Sequence, residues 1–136
     1  MTPAVNVMLV LDRTAIVAYA TLGRGAITVG ELMVDVAEMP EARIGLPVLA
    51  IAAARLELTE PEDLSRLDQL IDLTRPIAVS ADHGIAVANY SAPFGGDLAL
   101  GQAVMVSDAL DVALFSAEAD RISRALPTLT VFDIPI

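Results

Sequence analysis

Apolar positions fall in short blocks whose period alternates between strand-like and helix-like. Val5–Leu11 is nearly all apolar and rich in valine, the pattern of a strand buried on both faces. Asp12 follows it directly, and Thr14 is placed to N-cap a helix over Ala15–Ala20. Gly23 and Gly25 break that pattern. Val29, Leu32, Met33, Val36 and Ala37 then share one helical face in Val29–Met39, which Pro40 ends. Ala42–Leu46 reads as a second strand, and Pro47 suits the first turn of a helix through Leu56. The turn Thr59–Asp63 opens an amphipathic helix carrying Leu64, Leu67, Leu70 and Ile71. Pro76–Val79 is a third strand, Ala81–Tyr90 a helix and Ser91–Gly96 a loop. Asp97–Leu110 is a helix of small residues, Val112–Phe115 a fourth strand, Ala117–Leu126 a helix and Thr128–Phe132 a fifth strand.

Strands that alternate with helices from end to end predict an α/β fold: one five-stranded parallel sheet with helices on both faces. The chain has 136 residues, enough for one domain with a real core, and 1–136 carries no internal repeat or linker. No apolar run reaches the roughly 18 residues of a membrane-spanning helix. The first residues lack a basic segment followed by an apolar one, so a soluble, unprocessed cytoplasmic protein is expected, without a membrane partner.

Composition removes several chemistries. With no cysteine there is no disulfide framework, thiolate zinc site or cysteine nucleophile. With no lysine among the eight basic residues there is no Schiff base and no phosphate-loop lysine. Aromatic residues are 4% of the chain and its net charge is −10, which argues against base-stacking platforms and against long-range attraction of nucleic acid. The single histidine, His83, reads more simply as a surface residue than as an acid–base catalyst. Arg121 and Arg124 are a lone basic pair, and Arg13 reads best as the partner of a neighbouring acid.

In open parallel sheets, sites gather beyond the carboxyl ends of the strands. Asp12 follows the first strand, Glu118 lies just past the fourth, and Asp97 opens the helix leading to it. Brought together, three carboxylates need a cation such as Mg²⁺ or Mn²⁺, which could activate water and screen a phosphodiester. Each acid also has a plain structural reading, as a helix start or N-cap.

Leu9-Val-Leu-Asp-Arg-Thr-Ala-Ile-Val-Ala-Tyr19, Gly96-Asp-Leu-Ala-Leu-Gly-Gln-Ala-Val104 and Leu114-Phe-Ser-Ala-Glu118 together resemble the motifs of the PIN domain, the small nuclease fold of many bacterial toxin ribonucleases. The resemblance runs over essentially the whole chain. It implies a Mg²⁺ or Mn²⁺ pocket that cleaves RNA, with Asp12, Asp97 and Glu118 as catalytic metal ligands. Thr14 and Ser116 would be the hydroxyls that orient them. It also implies an antitoxin protein partner and a homodimer. Where the family carries a glutamate after the second strand, this chain has Ala53, and the nearest acid, Glu57, lies a turn further on. Two readings follow: a metal-dependent ribonuclease of PIN type, or a PIN-fold protein without catalysis that binds a protein partner or a second copy of itself. A phospho-receiver reading fails for want of a lysine after the last strand.

Overall fold

The computed structural model describes residues 6–135. In chain order the elements are β1 (Asn6–Leu11), α1 (Arg13–Ala20), α2 (Ala26–Ala37), β2 (Ala42–Pro47), α3 (Val48–Glu57), α4 (Pro61–Leu73) and β3 (Arg75–Ile77). Then follow α5 (Gly84–Ser91), α6 (Leu98–Leu110), β4 (Ala113–Ser116), α7 (Ala119–Ala125) and β5 (Val131–Asp133). The strands form one sheet in the order β3-β2-β1-β4-β5, and every pairing is parallel. The expected single-domain α/β architecture is what the chain adopts.

The sheet separates two cores. Leu9 and Leu11 of β1 face a core with Ala15, Ile16 and Ala20 of α1, Val29 and Val36 of α2, and Leu67 and Leu70 of α4. Val10, between them, faces the opposite core with Leu100, Ala103 and Val104 of α6, Leu114 of β4 and Ile122 of α7. That is the period-two alternation of a central strand. Helix α6 is the centre of its layer: Ala99–Ser107 is buried without interruption. Inside it, Gln102 is fully buried, and its side chain spans two elements. Its Oε1 accepts from the Leu49 amide in the first turn of α3 at 2.9 Å, and its Nε2 donates to the Ile77 carbonyl at 2.9 Å. It thereby satisfies an amide left over at a helix start and a carbonyl at a strand end.

Several boundaries differ from the sequence reading, for local reasons. The predicted start of the first strand at Val5 lies outside the described residues. Pro47 ends β2 and caps α3 instead of joining its first turn. β3 starts at Arg75 and stops at Ile77, because β2 offers it partners only from Gly45 to Pro47. β4 and β5 likewise end at the pairing of Ser116 with Asp133, one residue beyond the predicted ends. The fifth strand starts late because Leu129 is still in a turn, its amide donating to the Leu126 carbonyl. The helix read as Ala81–Tyr90 opens with a 3-10 turn over Ala81–His83 and continues one residue longer, to Ser91.

Two glycines in helices test this packing in opposite directions. A Cβ on Gly101 of α6 would meet the Ser91 Oγ at 1.8 Å and the Ser91 amide nitrogen at 2.9 Å, so α5 and α6 meet through the bare glycine. Gly30 of α2 has nothing within 4 Å of such a Cβ. Gly101→Ala should therefore lose about 1–3 kcal/mol by overpacking, and Gly30→Ala should gain up to about 1 kcal/mol from helix propensity. Denaturant melts of the two variants read both signs, and a harmless Gly101→Ala would contradict the close α5–α6 contact.

Candidate functional site at the carboxyl ends of β1 and β4

After β1, the chain adds β2 and β3 on one side and then crosses to β4 on the other. The crevice beyond the carboxyl ends of β1 and β4 is therefore the switch point where parallel sheets hold their sites. Leu11 pairs with Phe115, so Asp12 and Ser116 emerge side by side, and the Asp12 amide donates to the Phe115 carbonyl at 3.3 Å.

Asp12 is 1% exposed. As N-cap of α1 its Oδ1 accepts from the Ala15 amide at 3.1 Å, and the same oxygen takes the Thr14 hydroxyl at 2.6 Å. Its Oδ2 takes the Ser116 hydroxyl at 2.5 Å. Both hydroxyls in turn accept backbone amides: Thr14 from Ala117 at 2.8 Å, Ser116 from Glu118 at 2.9 Å. Each hydroxyl's proton is thus committed to the carboxylate. Burial pushes the Asp12 carboxyl above its ordinary range; the hydrogen bonds from Ser116, Thr14 and Ala15 pull it down, and the charge of Glu118 adds to the rise.

Above this buried group lies a cavity of about 330 Å³, whose wall includes Arg13, Thr14, Val17, Thr21, Glu57 and Glu118. Glu57 and Arg13 form an ion pair across it. Glu118, the residue before α7, pairs with Arg121 one turn on at 3.1 Å. The Arg121 guanidinium also sits 5.5 Å from the centre of the Phe94 ring, a cation–π contact. Asp97 is not on this wall. It is the N-cap of α6, its Oδ1 accepting from the Leu100 amide at 3.1 Å.

The structure thus brings Asp12, Thr14, Ser116 and Glu118 together and leaves Asp97 in a capping role. Among the described residues, no group of three or more His, Asp or Glu side chains is placed to hold a metal ion. The donor set does not fit the Mg²⁺ or Mn²⁺ that the sequence motifs imply. Asp12 is buried and bound by the chain's own donors, and the two acids that reach the cavity already have cationic partners. Glu57, the acid one turn beyond Ala53 on α3, lines the cavity. It lies four residues beyond Ala53 on the same helical face, and that spacing was the signal for it.

No family model and no curated protein sequence matches this chain. Solved structures do. The chain is similar to VapBC2 from Rickettsia felis bound to a DNA fragment from its promoter, with a TM-score of 0.67 and 14% identity over 94% of this chain and 99% of the other. It is similar to VapBC-1 from nontypeable Haemophilus influenzae and to FitAcB from Neisseria gonorrhoeae, each with a TM-score of 0.61 and 16% identity over 93% of this chain and 97% of the other. The chain has the PIN-domain fold. Within that fold Asp12 stands directly after the central strand, at its carboxyl end.

Two substitutions probe this joint. Ser116→Ala removes a donor to the buried carboxylate and the acceptor of the Glu118 amide, and should cost about 1.5–3 kcal/mol. The pH response of Asp12→Asn follows from the raised Asp12 value. A folded state that holds its proton more tightly than the unfolded chain is favoured in acid, and that advantage is lost as pH rises through the raised value. Asp12→Asn removes this dependence. Its melting temperature relative to the native chain should be most favourable at neutral pH and should fall steadily toward pH 4. A difference that stays constant over that range would show that burial of the charge carries no cost.

Proposed function

We propose that this chain is the toxin-type member of a toxin–antitoxin pair, and that it acts by binding its protein partner, with RNA cleavage lost or much weakened. The observation that carries this reading is the state of the acids: Asp12 is spent on Thr14, Ser116 and Ala15, and Asp97 is spent capping α6. Few free carboxylates remain to bind Mg²⁺ or Mn²⁺ and generate a metal-bound hydroxide. The similar structures from Rickettsia and Neisseria are themselves two-component assemblies by name, which supports a protein partner. Helix α2 supports it too. Ile27 and Val34, two turns apart on one side, are 72% and 61% exposed, an apolar strip of the kind that protein partners cover. Among the described residues no helix is long and apolar enough to cross a membrane. The working state we propose is a cytoplasmic homodimer that captures the antitoxin.

A second reading is favoured by one observation. Two hydroxyls aimed at a buried aspartate, at the switch point of the sheet, is also how a metal-binding carboxylate is held in orientation. On this reading Asp12, Asp97 and Glu118 would bind Mg²⁺ or Mn²⁺ and the chain would hydrolyse RNA.

The test uses the purified chain and a small protein encoded beside its gene. Complex formation with that protein, weakened when Ile27→Asp and Val34→Asp are introduced together, is the expected result. Incubation with mixed RNA in Mn²⁺ should give no cleavage above that of Asp12→Asn. Mn²⁺-dependent cleavage that Asp12→Asn abolishes would establish the ribonuclease in its place.

A further inference from the structure

The cavity beside Asp12 is lined by the carboxylates of Glu57 and Glu118 and by Arg13, and a second guanidinium, that of Arg121, pairs with Glu118. Like charges gathered at a sheet end need a counter-charge, and a divalent cation is one way to supply it. Here the chain supplies two positive charges of its own. Arg13, the first residue of α1, reaches across the cavity to Glu57 at the last position of α3. Arg121, in α7, folds back on Glu118 and is steadied on the far side by the face of the buried Phe94 ring. Each arginine pairs with an acid of the cavity wall, and the Arg13 charge lies on that wall itself.

We propose that Arg13 and Arg121 are internal counter-ions that stand in for a divalent cation and exclude one from this cavity. The inference deepens the partner-binding reading and rests on it, since it explains how the acids coexist in a chain that, on that reading, does not use a metal. Such pairs, partly exposed, contribute little to stability. Their effect lies in the local charge: removing an arginine both frees an acid for an ion and removes a repulsion, and the two changes act in the same direction.

The experiment is a Mn²⁺ titration followed by water-proton relaxation, on the native chain, Arg13→Gln, Arg121→Gln and the double variant, with circular dichroism to confirm folding. The native chain should show no saturable binding at millimolar Mn²⁺. Each single variant should gain weak binding, and the double variant should bind about tenfold or more tightly than either. Adding Glu57→Gln and Glu118→Gln to the double variant should abolish the gain, which places the ion in this cavity. Saturable binding by the native chain would overturn the proposal, as would a folded double variant, or folded single variants where the double does not fold, without any gain. The RNA assay separates the two claims. A native chain that neither binds Mn²⁺ nor cuts RNA, with variants that gain nothing, removes the counter-ion proposal and leaves the partner-binding reading standing. A native chain that binds Mn²⁺ and cuts RNA removes both.

Discussion

A carboxylate placed at 1% exposure must be satisfied by the chain around it, and Asp12 sets that requirement at the centre of this fold. The answer comes from two segments about a hundred residues apart. Thr14, from the start of α1, and Ser116, from the end of β4, donate to its two oxygens. The same two hydroxyls accept the amides of Ala117 and Glu118, which fixes the path into α7. One buried charge therefore locks β1, α1, β4 and the approach to α7 into a single joint. Charge-assisted hydrogen bonds of this kind are about twice as strong as neutral ones, and losing either hydroxyl leaves the carboxylate short of a donor where water does not reach.

The same joint decides what the cavity above it can do. Its wall carries two acids, Glu57 and Glu118, each paired with an arginine, and the neighbouring Asp12 carboxylate is committed to the protein. In that arrangement the two wall acids already have cationic partners, and Asp97 caps the start of α6. On the proposed reading, fold and nuclease chemistry separate in this chain, because a fold positions a site without dictating what fills it.

Much of this was legible in the sequence. The apolar run before Asp12 marks the central strand, the alternation of strands and helices gives the parallel sheet, and the stripe Leu64, Leu67, Leu70 and Ile71 gives the buried face of α4. Strand ends were less legible, because β3 and β5 are edge strands whose limits are set by what β2 and β4 offer them. Asp12 and its two hydroxyls could be read from local motifs. The state of the other acids could not. The Arg13–Glu57 pair joins residues 44 apart in sequence, and only the packing of α1 against α3 brings them together. Asp97 looked the same in sequence whether as ligand or cap, and the position of α6 relative to the cavity separates the two.

The central claim is that the carboxyl end of the sheet is a charge-compensated joint and not a metal centre. A crystal structure of the protein soaked in Mn²⁺, read by the anomalous scattering of manganese, tests it most directly. The account predicts no manganese in the cavity, with Arg13 still on Glu57 and Arg121 still on Glu118. A manganese ion held by Asp12 and Glu118, with the arginines swung away, would contradict it.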